Sequence, residues 1–414
     1  MSAAQTAVLE DIVDQHFDEA VDLWSQRDAA TTASNYSLKD MVFLDGRLEA
    51  HIDGLRIAGE HGLKLAEAGL DTEEPGSVFV AAILAFENGV SEQIDMITAL
   101  SEESHAAFRA VVSGLGWMKN HRFNATIKGL VSAKSVLHRR LGIAACGIRR
   151  INPKTYLDRS INSSDLALKA RALRVAGEIG RLDLLSVLQE HLQHEDHDCR
   201  FAAARSALLL GDRPALDTLA GFVLSQSRFT LPAMHIALWL SDTMTARNWL
   251  KAQSQVPEQR RQMLIGTGIT GEPGYVPMLI KRMNEPESAR IAGHAFSMIT
   301  GVNLEEQGLD TEKPEGFEAG PNDDPEDENV DMDMDENLPW PDADLVTRWW
   351  KQNGNAFSQG TRYLAGSPVS PESCLQILES ANQDARLAAS VELALSSAET
   401  AFINVKAPGY KQLR

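Results

Sequence analysis

The sequence has little cysteine, few aromatic side chains, no long apolar run and no surplus of basic residues. Three cysteines (Cys146, Cys199 and Cys374) are scattered through 414 residues. An odd, widely spaced set argues against a disulfide framework and suits a reducing compartment, so a cytoplasmic location is expected. No stretch approaches the roughly 18 consecutive apolar residues of a membrane helix, so no membrane span is expected. The first residues, from Met1 to Asp11, show no basic stretch leading into an apolar run, so no signal peptide is expected. Aromatics make up 6 % of the chain while Ala and Leu dominate, which suits closely packed helices better than sheets. Lys and Arg number 39 against 58 Asp and Glu, a balance that disfavours nucleic-acid or anionic-membrane partners. No GxSxG, P-loop or GxGxxG motif stands in a strand–turn–helix setting, so no familiar catalytic scaffold is visible.

What the chain does have is acid concentrated in one place. Residues 305–344 hold 17 acidic residues against the single Lys313, a net charge of −16 out of −19 for the whole chain. The remaining residues are nearly balanced. Composition alone would make this segment disordered. Spaced apolar residues (Leu304, Leu309, Phe317, Val330, Leu338 and Trp340) and five prolines instead suggest an extended excursion pinned to the body. Both readings remain open at this point.

The body repeats. Gly180, Gly211, Asp242, Gly271 and Gly301 close successive apolar-periodic segments at spacings of 31, 31, 29 and 30 residues. Eleven positions before each stand Lys169, Arg200, Leu231, Arg260 and Arg290. A second apolar-periodic segment follows each turn, as at 182–192, 214–224, 243–250 and 275–283. Residues 78–89 give an earlier copy and 386–395 a displaced one beyond the acidic segment. Each unit is a helical hairpin too small to bury its own apolar face, so neighbours must stack into a continuous core. Gly at each end permits a left-handed C-cap, and Ala lets helix axes approach. The pattern predicts an all-α fold, an α-solenoid resembling short HEAT-like repeats. Its expected divisions are an N-terminal helical cap over 1–71, a repeat solenoid over 72–303, an acidic Pro-containing insertion over 304–341, and C-terminal helices over 342–414 that complete the stack. The recurrent basic residue is either a charge ladder on a binding face or a structural contact between repeats.

Two sets of residues resemble a known family. The first is Trp24–Asp28, Tyr36–Leu38, and the run from Leu44 and Asp45 through Arg47, Leu48, His51, Asp53 and Gly54 to Leu55. The second is Gly301–Leu304, Pro321–Asn329, Leu338–Pro341, Trp349–Trp350 and Arg362–Leu364. Both are similar to signatures of an uncharacterised bacterial HEAT-like repeat family associated with type VI secretion loci. The resemblance runs nearly end to end and implies an accessory factor or adaptor for secreted effectors. It carries no catalytic residue to this chain.

Candidate chemistry is limited to two clusters. Asp331, Asp333 and Asp335 alternate as in the first half of a calcium loop, with Asp323, Asp324 and Asp327 upstream. The Gly and Glu expected at the sixth and twelfth positions of such a loop are missing. Clustered carboxylates nonetheless need a positive counterpart, either a calcium or other divalent cation or arginines of the body. His191, His194 and His197 at three-residue intervals, with Cys199 and the aspartates Asp196 and Asp198, could hold zinc or another transition metal, but no HExxH or CxxC accompanies them. They are weak metal candidates or a polar inter-repeat loop.

The expected function is a non-enzymatic protein-binding scaffold or adaptor with no obligatory cofactor. Its partner is expected to be a secretion-system component or effector. Asp323, Asp324, Asp327, Asp331, Asp333, Asp335 and Trp340 are the leading contact residues. The rival reading is a metal-dependent or nucleic-acid-directed enzyme on the same scaffold, with Trp117 and Trp239 as concave-face residues.

Overall fold

Alanine and leucine at helical spacing decide the architecture. In the computed structural model, which describes residues 9–320, 332–396 and 402–412, every long element is an α-helix and the four strands span two residues each. Packing divides the described residues into two units. Unit one draws on Met1–Thr32, Leu38–Asp212 and Ala398–Arg414, and unit two on Ala33–Ser37 and Arg213–Ser397.

Unit one opens with α1 (Glu10–Ala30), α2 (Leu38–Ala58) and α3 (Glu60–Ala68). Gly59, at φ 58°, separates the last two of these within the expected N-terminal helical cap. Leu44, Leu48 and Leu55 form the buried face of α2 as their spacing predicts. The repeats follow as α4 (Pro75–Asn88), α5 (Ser91–Glu103), α6 (His105–Trp117), α7 (Asn120–Ser132), α8 (Val136–Arg149), α9 (Thr155–Ile161), α10 (Leu166–Glu178), α11 (Leu185–Glu190) and α12 (His197–Leu209). The helices α4, α6, α8, α10 and α12 pack side by side in one row. From α5 onward, the intervening helices form a second layer, each lying on the next member of that row.

Unit two repeats the arrangement with α13 (Leu216–Val223), α14 (Thr230–Leu240), α15 (Thr243–Ser254), α16 (Arg260–Thr270), α17 (Val276–Arg282) and α18 (Pro286–Thr300). Here α14, α16 and α18 form the row. The remaining elements are the antiparallel pair β1 (Asp310–Thr311) and β2 (Trp340–Pro341), α19 (Ala343–Asn353), the antiparallel pair β3 (Tyr363–Leu364) and β4 (Ser367–Pro368), α20 (Pro371–Ser380) and α21 (Gln383–Ser396).

This is an all-α solenoid-type fold, and the core lies between the two helix layers. The closest crossings are made by glycine as well as by alanine. A Cβ on Gly177 of α10 would sit 2.6 Å from the Ser206 backbone of α12, and one on Gly268 of α16 would sit 3.1 Å from the Ala295 backbone of α18. Both glycines stand three residues before a helix-closing glycine, a second periodic position that the sequence pattern alone did not single out.

The helix-closing glycines Gly180, Gly211, Gly271 and Gly301 all adopt left-handed backbone angles. Asp242 departs from this pattern. It begins α15 instead, its carboxylate accepting from the backbone N–H groups of Met244 and Thr245. The short side chain of Asp serves an N-cap better than a C-cap.

In unit two the closing glycines have a further partner. The β3–β4 hairpin lies across the ends of α16 and α18, with Tyr363 N donating to Gly271 O at 2.8 Å and Ala365 N to Met298 O at 2.8 Å. A Cβ on Gly271 would stand 2.3 Å from Tyr363 O, and one on Gly301 would stand 2.5 Å from Ala365 O.

The C-terminal helices do not extend the row beyond α18. The displaced copy is α21, and it packs on α14, with its Asp384 3.2 Å from His294 of α18. Residues 402–412 belong to unit one, so the expected C-terminal block divides between the units. There Arg27, 5 % exposed, donates to the Asp45 carboxylate at 2.9 Å and to Lys406 O at 2.8 Å. The other Asp45 oxygen accepts from Gly409 N. Arg27 and Asp45 thus hold the tail through backbone groups.

Two substitutions separate capping from docking. Gly180→Ala, where a Cβ would meet nothing within 4 Å, should cost about 1 kcal/mol for the left-handed backbone alone. Gly271→Ala should cost at least about 3 kcal/mol, because the hairpin backbone must also move. Chemical denaturation of the two variants checks the difference.

Candidate functional site

The acidic excursion leaves the body at the end of α18 and returns at the start of α19. Its two ends are tied by β1 and β2, where Asp310 pairs with Pro341 and Thr311 with Trp340. Asp342 N donates to Leu309 O at 2.8 Å. Leu304 and Leu309 are buried, and Phe317 meets Trp340 edge to face at 4.9 Å between ring centroids. Four of the expected anchors therefore engage. Val330 lies outside the described residues, as do Asp323, Asp324, Asp327 and Asp331.

Asp333 and Asp335 face arginines of unit two. Arg290, on the first turns of α18, donates to Asp333 Oδ2 at 2.7 Å and to the Asp335 carbonyl at 2.9 Å. Its guanidinium also lies 4.6 Å from the Trp340 ring centroid. Arg261 of α16 grips the Asp335 carboxylate with Nε and Nη2, the shorter contact being 2.7 Å. Asp333 in turn accepts from Asp335 N at 3.0 Å, fixing the turn between them. The positive counterpart of these two carboxylates is therefore intramolecular. Their alternation, read in the sequence as half a calcium loop, places both carboxylates on the arginine side. Met332 and Met334 point the other way and are 68 % and 77 % exposed. An open cleft of about 730 Å³ lies beside this turn, lined by Pro286, Arg290, Phe317, Asp333 and Asp335 among others.

The recurrent basic position makes structural contacts where these are resolved. Arg200 donates back to the His194 and Glu195 carbonyls, and Arg290 is committed to the excursion. Arg386, the equivalent in the displaced copy, is 2 % exposed and donates to Leu378 O at 2.7 Å.

The histidine cluster is only partly assembled. His194, Asp196 and Cys199 bring ligand-type atoms within 4.8 Å of one another. Asp196, between His194 and His197 in sequence, is the third member of this group. His191 stacks on His194 at 5.7 Å, and its Nδ1 faces Val187 O. His197 is the first residue of α12 and is not part of the three-residue group. The three grouped residues also have structural work. Asp196 caps α12 by accepting from Cys199 N at 2.9 Å, and His194 Nδ1 accepts from Asp196 N at 3.0 Å. Burial, reinforced by Asp196, pushes the Cys199 thiol up to about 12. Trp117 and Trp239 are both buried; Trp117 donates to Glu49 and Trp239 to the Ile269 carbonyl. Their indole N–H groups are therefore spent on packing contacts.

A family model for HEAT repeats matches residues 153–231, which include α10 and α12 with the second-layer helices beside them. The helical rows are HEAT-like repeats. The comparison with curated proteins found no match. Within the described residues, no helix is long and apolar enough to cross a membrane.

On α18, Arg290 joins the helical row to the excursion. Arg290→Met should cost about 3–5 kcal/mol by stranding Asp333 and a buried carbonyl, and should speed proteolysis within 305–341. Arg290→Lys should recover little, since one ammonium cannot make the forked contacts. Arg261→Met, at a more exposed site, should cost less, about 1–2 kcal/mol. Denaturation midpoints and timed limited proteolysis provide the readout.

Proposed function

We propose that the protein is a non-enzymatic scaffold that binds another protein, with the acidic excursion as part of its recognition surface. The observation that carries this reading is the mounting of Met332 and Met334. Both are largely exposed, yet the two aspartates alternating with them are tied to arginines of α16 and α18. Flexible apolar side chains on an anchored backbone lose little backbone entropy on binding, and methionine adapts to varied apolar partners. The surrounding acid selects a partner with an apolar groove and a basic rim, and would speed encounter at low salt. HEAT repeats commonly present extended surfaces to other proteins.

The finer reading is an accessory factor or effector chaperone of a type VI secretion system. It rests on the resemblance of both signatures and on the scaffold architecture. A cytoplasmic location follows from that role, and neither a cofactor nor a catalytic group is required by it.

Co-purification of the full chain with products of neighbouring genes tests the reading. The Met332→Ser/Met334→Ser double variant should retain its fold and recover at least about tenfold less partner, equivalent to about 1.4 kcal/mol. Equal recovery would remove the excursion from the recognition surface. Absence of any partner for the unaltered chain would contradict the adaptor role.

A further inference from the structure

Unit one contains a second charged assembly, unrelated to the acidic excursion. Arg174 on α10 and Arg205 on α12 stand one repeat apart, 31 residues. Arg171 lies one turn before Arg174, and Arg150 caps the end of α8. These four arginines act on one carboxylate, Glu178, whose side chain is 5 % exposed. Arg174 Nε donates to it at 2.8 Å, and nitrogens of Arg150 and Arg171 lie 3.6 and 3.8 Å away. Burial alone would raise the Glu178 carboxyl; the guanidinia overcome this and hold it well below the usual carboxylate range.

The balance is unequal. Four guanidinia against one carboxylate leave three positive charges uncompensated. Arg140, whose own acidic neighbours are Asp165, Asp198 and Glu102, adds to the positive field at Arg171. Burial, then the neighbouring guanidinia, pushes Arg205 down to about 9 and Arg171, despite its attraction to Glu178, to about 10, so both stay cationic at neutral pH. Two donors at the centre, Arg205 Nη1 and Arg171 Nε, are buried without a hydrogen-bond partner, as is the acceptor Glu178 Oε2. An unpaired buried donor on a charged group is costly, and one inter-repeat ion pair would need a single arginine.

The local backbone is shaped around the cluster. Arg150 has φ 56°, a left-handed conformation that is unfavourable for a non-glycine residue. It directs the guanidinium beside Phe402, whose carbonyl accepts from Nε at 2.6 Å. Arg205 lies against the same ring, 5.1 Å from its centroid. A Cβ on Gly147 would stand 2.8 Å from Glu178 Oε2 and 3.1 Å from Arg171 Nη2. The Arg174 side chain is 51 % exposed, against 19 % for Arg150 and Arg171.

We propose that Arg150, Arg171, Arg174 and Arg205 form a binding site for a phosphate-class dianion, free or as the terminal monoester of a small molecule. A tetrahedral dianion supplies several acceptors and two of the three missing charges, and the guanidinium fork suits it. Glu178 holds the arginines in place and leaves the outer donors to the ligand.

Thermal unfolding and calorimetric titration of the full chain test this, with inorganic phosphate exchanged for chloride at constant ionic strength. The expected result is a saturable rise in Tm at millimolar phosphate. Arg205→Gln or, as the more exposed and safer variant, Arg174→Gln should weaken apparent affinity at least about tenfold. Phosphoserine as a second ligand distinguishes the sources: equal or tighter binding assigns the site to a monoester, and binding of inorganic phosphate alone assigns it to the free ion. No rise in Tm, or an unsaturating rise identical in the unaltered chain and Arg174→Gln, would overturn the proposal, because the latter is a general salt effect.

Discussion

A guanidinium taken out of water must find acceptors, and this chain uses that requirement to fasten its non-repetitive segments. Arg27, Arg290 and Arg386 are buried among the described residues. Arg27 and Arg290 donate to backbone carbonyls of segments outside the regular helical hairpins, Lys406 and Asp335, and Arg386 donates to the Leu378 carbonyl near the end of α20. Arg27 and Arg290 add an aspartate, so each is an ion pair and a backbone clamp at once. Breaking such a pair by removing one partner costs far more than the pair contributes relative to an apolar pair. The arrangement therefore specifies where the segments dock more than it adds stability.

This division of labour bears on function. The helical rows supply a stiff body through nearest-neighbour packing, and stability there is a sum of local terms. Recognition needs features that break the repeat. In unit two, the arginine clamps hold a turn that displays Met332 and Met334 outward. In unit one, the same residue type is present in excess around Glu178, where two of its buried donors have no partner. The first arrangement closes a contact within the chain; the second awaits an anion.

The repeat was legible because its physics is local. Helical spacing, closing glycines and the interval near thirty residues all lie within a single hairpin or its neighbour, and they placed Gly180, Gly211, Gly271 and Gly301 correctly. Asp242 was misplaced because a polar residue between two helices can end one or begin the next. The excursion's anchors were legible as spaced apolar residues, but the partners of Asp333 and Asp335 were not. Arg290 and Arg261 stand 43 and 74 residues away in sequence, and no local rule fixes such a pairing. Only the need for a positive counterpart was visible. Asp323, Asp324, Asp327 and Asp331 lie outside the described residues. The Arg174 and Arg205 pair carries a signal, one full repeat apart, but the basic position at the helix starts repeats more regularly and masks it. The family-like signatures also gain a physical meaning, since Arg27, Asp45 and Trp340 all sit in the clamps.

Native-state hydrogen exchange on the full chain, with and without Asp45→Asn, addresses the clamp most directly. The substitution keeps the shape but removes the charge that orients Arg27. The account predicts that the amide of Gly409 and its neighbours in 404–411 lose protection together, by about a hundredfold for about 3 kcal/mol, while α10 and α12 keep theirs. Unchanged protection at 404–411, or a uniform loss throughout unit one, would contradict a clamp that acts on the tail.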